Sequence, residues 1–307
     1  MVNPRFPIYI PSKSRSDEAT LPRYFDRIGV PFKLVVEEHQ YESYRQFFTE
    51  EQILILDPQF QKDYETLDDV GEEKSKGAGP ARNFAWDHAI KAGFDWHWVM
   101  DDNICYMSRA TDNTRMPVSD GTVIAAMEDF TLRYKNVAMS GPRYENMQHV
   151  RRGRGPFQTG SRIYSCNLIR NSLPYRWRGR YNEDTDLSIM CLKGGWTTIE
   201  FNAFLQRKLA TQVMKGGNTE AFYAEEGTFL KSQMLVQTHP DVARLMKRYG
   251  RWHHWVNYDK WRKRPLIKDP NYKPPDKNPY TQFKLVDKRV VYGGVYRDED
   301  ASDLSEH

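Results

Sequence analysis

Short apolar runs alternate with polar, helix-compatible stretches through the first hundred residues. Ile8-Tyr9-Ile10 reads as a strand ending in the turn Pro11-Ser12-Lys13-Ser14-Arg15. A polar-capped helix follows to about Arg27, and Gly29 closes it. Phe32-Lys33-Leu34-Val35-Val36 is a second strand, ending at Glu37-Glu38. Residues 40–48 are helical in pattern, and Ile53-Leu54-Ile55-Leu56 reads as a third, fully buried strand. Gly77-Ala78-Gly79-Pro80 leads into a helix that stops at Gly93, after which the strand Trp96-His97-Trp98-Val99-Met100 runs directly into Asp101-Asp102-Asn103. This alternation predicts an α/β fold with a mixed, mostly parallel sheet flanked by helices. Ligands in such sheets bind beyond the carboxyl ends of the strands, so residues 12–15, Glu37-Glu38 and residues 101–103 are expected to converge.

Further on, the pattern predicts an amphipathic helix to about Tyr134, a strand at Val137-Ala138-Met139, a strand near residues 163–169 and a helix starting at Asn182-Glu183-Asp184. Lys215-Gly216-Gly217-Asn218 reads as a mobile loop. Pro270, Pro274, Pro275 and Pro279 mark an extended arm. With no internal repeat and no interior linker, residues 1–268 form one domain, and 269–307 an arm with an acidic tail.

Composition narrows the class. In 307 residues, 39% hydrophobic, 28% charged and 13% aromatic content builds a sizeable core and argues against disorder. No run of about 18 apolar residues exists, so no membrane span is expected, and the first six residues lack the apolar core of a signal peptide. Cys105, Cys166 and Cys191 are odd in number and widely spaced, which excludes a disulfide scaffold and fits a reducing cytoplasm. The net charge of +4 is segregated. No acidic residue lies between Glu145 and Glu183, a stretch that holds Arg151, Arg152, Arg154, Arg162, Arg170, Arg176, Arg178 and Arg180. A second basic block, residues 244–268, interleaves Lys247, Arg248 and Arg251 with Trp252, Trp255 and Trp261. Such segregation points to a polyanionic partner.

Three local signals carry chemistry. Adjacent carboxylates at the end of an apolar strand repel each other unless a cation neutralises them, and Asp101, Asp102 and Asn103 offer the hard oxygens that suit Mg²⁺ or Mn²⁺; the same triplet also makes an ordinary solvated turn. Asn182-Glu183-Asp184-Thr185-Asp186 brings three carboxylates together, either as a helix-capping cluster or as the source of a general base. Lys76-Gly77-Ala78-Gly79-Pro80-Ala81-Arg82-Asn83 offers amides and cations at a helix start, suited to phosphate. It lacks the Gly-Lys-Ser/Thr ending of a P-loop. His239, beside Pro240, is either a helix-flanking residue or a nitrogen ligand.

In this order the signals resemble those of GT-A-fold, Rossmann-like nucleotide-sugar glycosyltransferases and, more narrowly, of the TET/JBP-associated glycosyltransferases of bacteriophages. The matching stretches are residues 8–15, 76–103, 182–196 and 238–254. The resemblance implies a UDP-sugar donor, Mn²⁺ or Mg²⁺, and transfer to 5-hydroxymethylcytosine or 5-hydroxymethyluracil in double-stranded DNA, in a host cytoplasm and without an obligate protein partner. It assigns Lys13, Arg15, Glu37 and Arg82 to uridine, ribose and phosphate contacts, and Asp101 with Asp102 to ribose and metal-bridged diphosphate. Asn103 stands where many members carry a metal-binding Asp, which leaves Asp102 or Asn103 to hold the cation. His239 matches a C-terminal histidine ligand, and Asp184, beside Glu183, matches the base of inverting members. Lys76 or Arg82 then stabilises the leaving diphosphate, a loop at Gly216-Gly217 excludes water, and Arg151, Arg152, Arg154, Arg178, Arg251 and Trp252 face the DNA.

Two rival classes stay open at this point. A DNA-binding protein without enzymatic activity accounts for the basic blocks but not for a buried strand ending in paired carboxylates. A GT-A enzyme acting on a glycan or protein uses the same donor machinery.

Overall fold

The computed structural model describes residues 3–68, 75–110, 115–147, 155–209, 229–248 and 250–274, with two short strands at 283–286 and 289–292. The chain begins with β1 (Ile8–Pro11), α1 (Thr20–Ile28), β2 (Lys33–Val36), α2 (Tyr41–Arg45), β3 (Ile53–Ile55) and α3 (Pro58–Lys62). It continues through α4 (Gly79–Lys91), β4 (Trp96–Met100), β5 (Ile104–Ala110), β6 (Arg115–Pro117), α5 (Thr122–Leu132) and β7 (Val137–Tyr144). Next come β8 (Phe157–Thr159), β9 (Cys166–Arg170), α6 (Glu183–Lys193) and β10 (Thr197–Lys208). α7 (Phe229–Thr238), β11 (Ala243–Arg248), β12 (Arg251–Val256) and α8 (Asp259–Arg262) follow, and β13 (Phe283–Val286) pairs with β14 (Arg289–Tyr292).

Ten strands form one mixed sheet in the order β3-β2-β1-β4-β9-β7-β10-β5-β6, with β8 added to β10. Pairing is parallel across β3-β2-β1-β4 and again between β7 and β10, and antiparallel elsewhere. Helices cover both faces, which gives the α/β architecture that the strand–helix alternation predicts. Successive residues of a strand point to opposite faces. Ile8 and Ile10 of β1 accordingly join one apolar cluster with Phe25, Trp98 and Phe130, while Tyr9 joins another with Trp86, Val99 and Trp177. Burial on both faces is why these strands read as unbroken apolar runs.

The expected third strand differs in one respect. β3 is the edge of the sheet, and Ile55 is 44% exposed rather than buried. α1 has no side-chain cap; its first amides, of Thr20 and Leu21, donate instead to the carbonyl of Asp102 (2.9 and 3.0 Å). Gly29 closes the helix in the left-handed region at φ 68°, where a side chain is strained.

The arm expected from residue 269 starts as a stitched segment. The Asp269 amide donates to the Arg133 carbonyl (2.8 Å), Lys268 bridges to Tyr134, and the Tyr272 hydroxyl bonds Asp129 on α5. Residues 215–218 and the acidic tail lie outside the described residues. Among the described residues, no helix is long and apolar enough to cross a membrane.

Candidate active site

The chain turns to opposite sides of the sheet on either side of the neighbouring strands β1 and β4, so their carboxyl ends leave a crevice between diverging connections. A cavity of about 540 Å³ opens there, within the range of small-molecule sites. Lys13, Arg15, Glu37, Asp101, Asp102 and Asn103 all line it, so the three strand-end loops converge as their sequence positions predict.

Asp102 faces a network of protein donors. Its carboxylate accepts from Ser12 Oγ (2.7 Å) and Arg15 Nη1 (2.8 Å), the Tyr44 hydroxyl donates to Ser12 Oγ (2.8 Å), and the Arg15 amide donates to the Tyr44 hydroxyl (3.2 Å). Burial pushes the Asp102 carboxyl above the usual carboxylate range, and Arg15 opposes that shift. With its carbonyl holding the start of α1, Asp102 braces the β1 loop, α1 and α2 together. Lys13 and Glu37 form an ion pair (2.6 Å) at the rim, where Lys13 is half exposed.

Arg82, in the first turn of α4, is the hub of the opposite wall. Its Nη2 reaches Asp101 (2.8 Å), while Nη1 reaches Asp184 (2.8 Å) and Glu183 (3.0 Å) in the first turn of α6. Its guanidinium also lies 4.6 Å from the Trp177 ring, which buries the group. Asp184 further accepts from the Ser165 amide (3.3 Å) and Asn167 Nδ2 (3.4 Å). Burial pushes its carboxyl up to about 6, against the pull of Arg82 and with help from the charges of Glu183 and Asp101. The second oxygen of Asp101 accepts from Lys208 Nζ (2.6 Å), the residue that ends β10. Lys208 Nζ also donates to Ser165 Oγ (2.9 Å), which shares a 2.5 Å hydrogen bond with the Tyr144 hydroxyl. Two cations therefore hold the Asp101 carboxyl far below its usual range although burial opposes them. Ser165 and Asn182, both in the lining, adopt left-handed backbone at φ 58° and 54°, a local strain typical of functional sites.

Gly79, the first residue of α4, has a packing reason. A Cβ at Gly79 would stand 1.9 Å from the Tyr64 hydroxyl, which itself donates to the Gly179 carbonyl (2.8 Å). Ser75, Gly77 and Ala78 line the cavity, but Lys76 turns away and donates to the Gln61 carbonyl (2.7 Å) at the end of α3. Lys76, expected to contact phosphate, here caps the end of α3.

The residues expected to hold a divalent cation do not fit one as they stand. Both Asp101 oxygens and both Asp102 oxygens already accept from Arg, Lys or Ser. Asn103 contributes one buried, unpartnered Oδ1. His239 lies outside the lining: its Nε2 meets Asp186 (2.7 Å) and its Nδ1 meets Lys193 (3.2 Å), so both ring nitrogens are engaged in the packing of α6. Among the described residues, no group of three His, Cys, Asp or Glu side chains is placed to hold a metal ion.

The basic stretches divide. Arg151, Arg152 and Arg154 lie outside the described residues. Arg178 pairs with the buried Asp186 (3.1 Å) rather than facing the cavity. Arg176 lies over Trp86 and Arg170 over Trp96. Arg162 and Arg180 do line the cavity. In the second block, β11 and β12 form a hairpin whose Trp252, His253 and His254 reach the cavity mouth. Trp252 is 38% exposed and packs edge-on against Phe229 (5.4 Å). Trp255 is exposed under the Arg244 guanidinium, and Arg251 is exposed outside the lining, whereas Trp261 is core. The sequence reading missed Lys208, Ser165 and Tyr144. Lysine at the end of a strand and serine before one carry no pattern of their own; only the sheet order brings them beside Asp101.

No curated protein matches the chain in sequence. Among solved structures, a mannose-1-phosphate geranyltransferase from Thermus thermophilus is 10% identical with a TM-score of 0.29. The match covers 68% of this chain and 58% of that protein, and a likeness so slight carries no argument about the site. Residues 6–217 match the TET-Associated Glycosyltransferase family. That span takes in β1, the Asp101-Asp102-Asn103 turn, the Arg82 hub, Asp184 and Lys208, and the chain belongs to the TET-associated glycosyltransferase family.

Proposed function

We propose that the protein transfers a sugar from a UDP-sugar to the hydroxymethyl group of a modified pyrimidine in DNA, with inversion at the anomeric carbon. The observation that carries the reading is Asp184, a buried carboxylate in the cavity wall whose proton affinity is lifted to about 6. A base must be ionised at working pH yet basic enough to accept a proton in the transition state, and a value near neutrality meets both needs. The acceptor hydroxyl attacks the anomeric carbon as the bond to the diphosphate oxygen breaks. Its proton passes to Asp184, and the electron pair leaves with the diphosphate. Support for DNA as acceptor comes from the family, together with the hairpin of aromatic and basic residues at the cavity mouth.

Asp184→Asn tests the base. Transfer should fall by about 10²–10⁴-fold, the usual worth of a general base, while UDP affinity stays within a few-fold. Full activity in Asp184→Asn with loss in Glu183→Gln moves the base by one residue. Activity retained in both variants contradicts the inverting scheme.

A further inference from the structure

The leaving group raises a question of charge. The diphosphate of a nucleotide sugar carries two negative charges, and a glycosyl bond breaks heterolytically only where those charges are met by cations. The cavity lining holds seven Lys and Arg side chains against five Asp and Glu, an excess of two positive charges before any ion binds. A divalent cation arriving at Asp101 meets Arg82 on one oxygen and Lys208 on the other, each at hydrogen-bond distance (2.8 and 2.6 Å), and is repelled by both positive charges. At Asp102 it meets the Arg15 guanidinium on one oxygen and the Ser12 hydroxyl on the other.

Lys208 occupies this place by construction. β10 shifts register between Arg207 and Lys208, so Lys208 pairs with Ile104, just past the Asp101-Asp102-Asn103 turn. The next amide, of Leu209, donates to the Asn103 carbonyl (3.2 Å) and fixes the strand end to that turn. The ammonium has three N–H donors; Asp101 and Ser165 Oγ accept two. Lys208 lines the cavity, with only 17% of its side chain exposed. A point charge so held is preorganised and needs no rearrangement when negative charge develops beside it.

We propose that Lys208, anchored by Asp101 and assisted by Arg82, neutralises the leaving diphosphate in place of a divalent cation, so that donor binding does not depend on a metal. The inference rests on the functional reading and deepens it, because it names the group that meets the donor's diphosphate. As the anomeric C–O bond breaks, its electron pair settles on the terminal phosphate oxygen, and the Lys208 ammonium meets the charge formed there.

The test is calorimetry with inorganic pyrophosphate and with UDP, each in excess EDTA and again in excess Mn²⁺. Wild type should bind both in EDTA, with affinities changed less than about threefold by Mn²⁺. Lys208→Met should weaken binding in EDTA tenfold or more, and Lys208→Arg should restore most of it. Lys208→Met leaves Asp101 with a single cation, so the double variant Asp101→Asn/Lys208→Met, which buries no lone carboxylate, serves as the folded control and should bind as weakly. Binding seen only with Mn²⁺, or undiminished in both Met variants, overturns the proposal. Metal-free binding of both ligands in which UDP is no tighter than pyrophosphate leaves the Lys208 assignment standing and removes the uridine donor.

Discussion

At the scale of single residues, neighbouring carboxylates of one strand-end triplet do different work. Asp102 is buried among Ser12, Arg15 and the α1 amides, whereas Asp101 faces the cavity between two cations. Removing one partner of a buried pair leaves the other charge unmatched, at a cost of about 3–5 kcal/mol. Asp102→Ala should therefore lower the chemical-denaturation stability by about that amount, and an unchanged midpoint contradicts the bracing role. Asp184 shows the opposite relation to stability. Its folded value of about 6 lies above the ordinary value of 3.8, so its protonated form favours the fold at low pH and that contribution is lost as pH rises from about 4 through 6. Transfer needs the ionised form, so the acceptor-side rate should fall as pH drops through about 6. A kcat/KM profile flat between pH 5 and 8 contradicts Asp184 as the base.

At the scale of elements, the sequence was legible where burial is simple. β4 lies where its apolar run predicts, and α4 ends against Gly93, whose left-handed φ of 80° a side chain disfavours. β10 was not legible, although it is a 12-residue strand. It is buried on both faces yet carries Asn202 and Gln206, whose amide nitrogens donate to the carbonyls of Gly155, Pro142 and Tyr164. Polar residues with partners distant in sequence break the apolar pattern without breaking the strand, and Lys208 at its end was missed with it. The β11–β12 hairpin was hidden for a different reason: both its strands are largely exposed, so no alternation marks them. The cations of the Arg-rich stretch read as one surface, but their partners Asp186, Trp86 and Trp96 come from other elements. The hairpin's prediction is specific. If Trp252 stacks on a base, Trp252→Ala should cost about 1–3 kcal/mol of DNA affinity while leaving UDP affinity unchanged. Equal DNA affinity of the variant contradicts the stacking role, which a filter-binding titration at fixed salt decides.

At the scale of the whole molecule, one sheet gathers the strand-end loops, the Arg82–Asp184 pair and the aromatic hairpin around one cavity. The strand-end loops of β1, β2 and β4 form one wall, α4 and α6 supply Arg82 and Asp184, and the hairpin adds Trp252, His253 and His254 to the lining. Membership in a glycosyltransferase family and the cationic excess of the lining agree with a phosphorylated sugar donor. The proposed acceptor sets the most direct test. The protein is incubated with labelled UDP-sugars and matched duplexes containing cytosine, 5-hydroxymethylcytosine or 5-hydroxymethyluracil. The account predicts label on a hydroxymethylated duplex and none on the unmodified one; label on no duplex, with transfer to a glycan or protein instead, contradicts it.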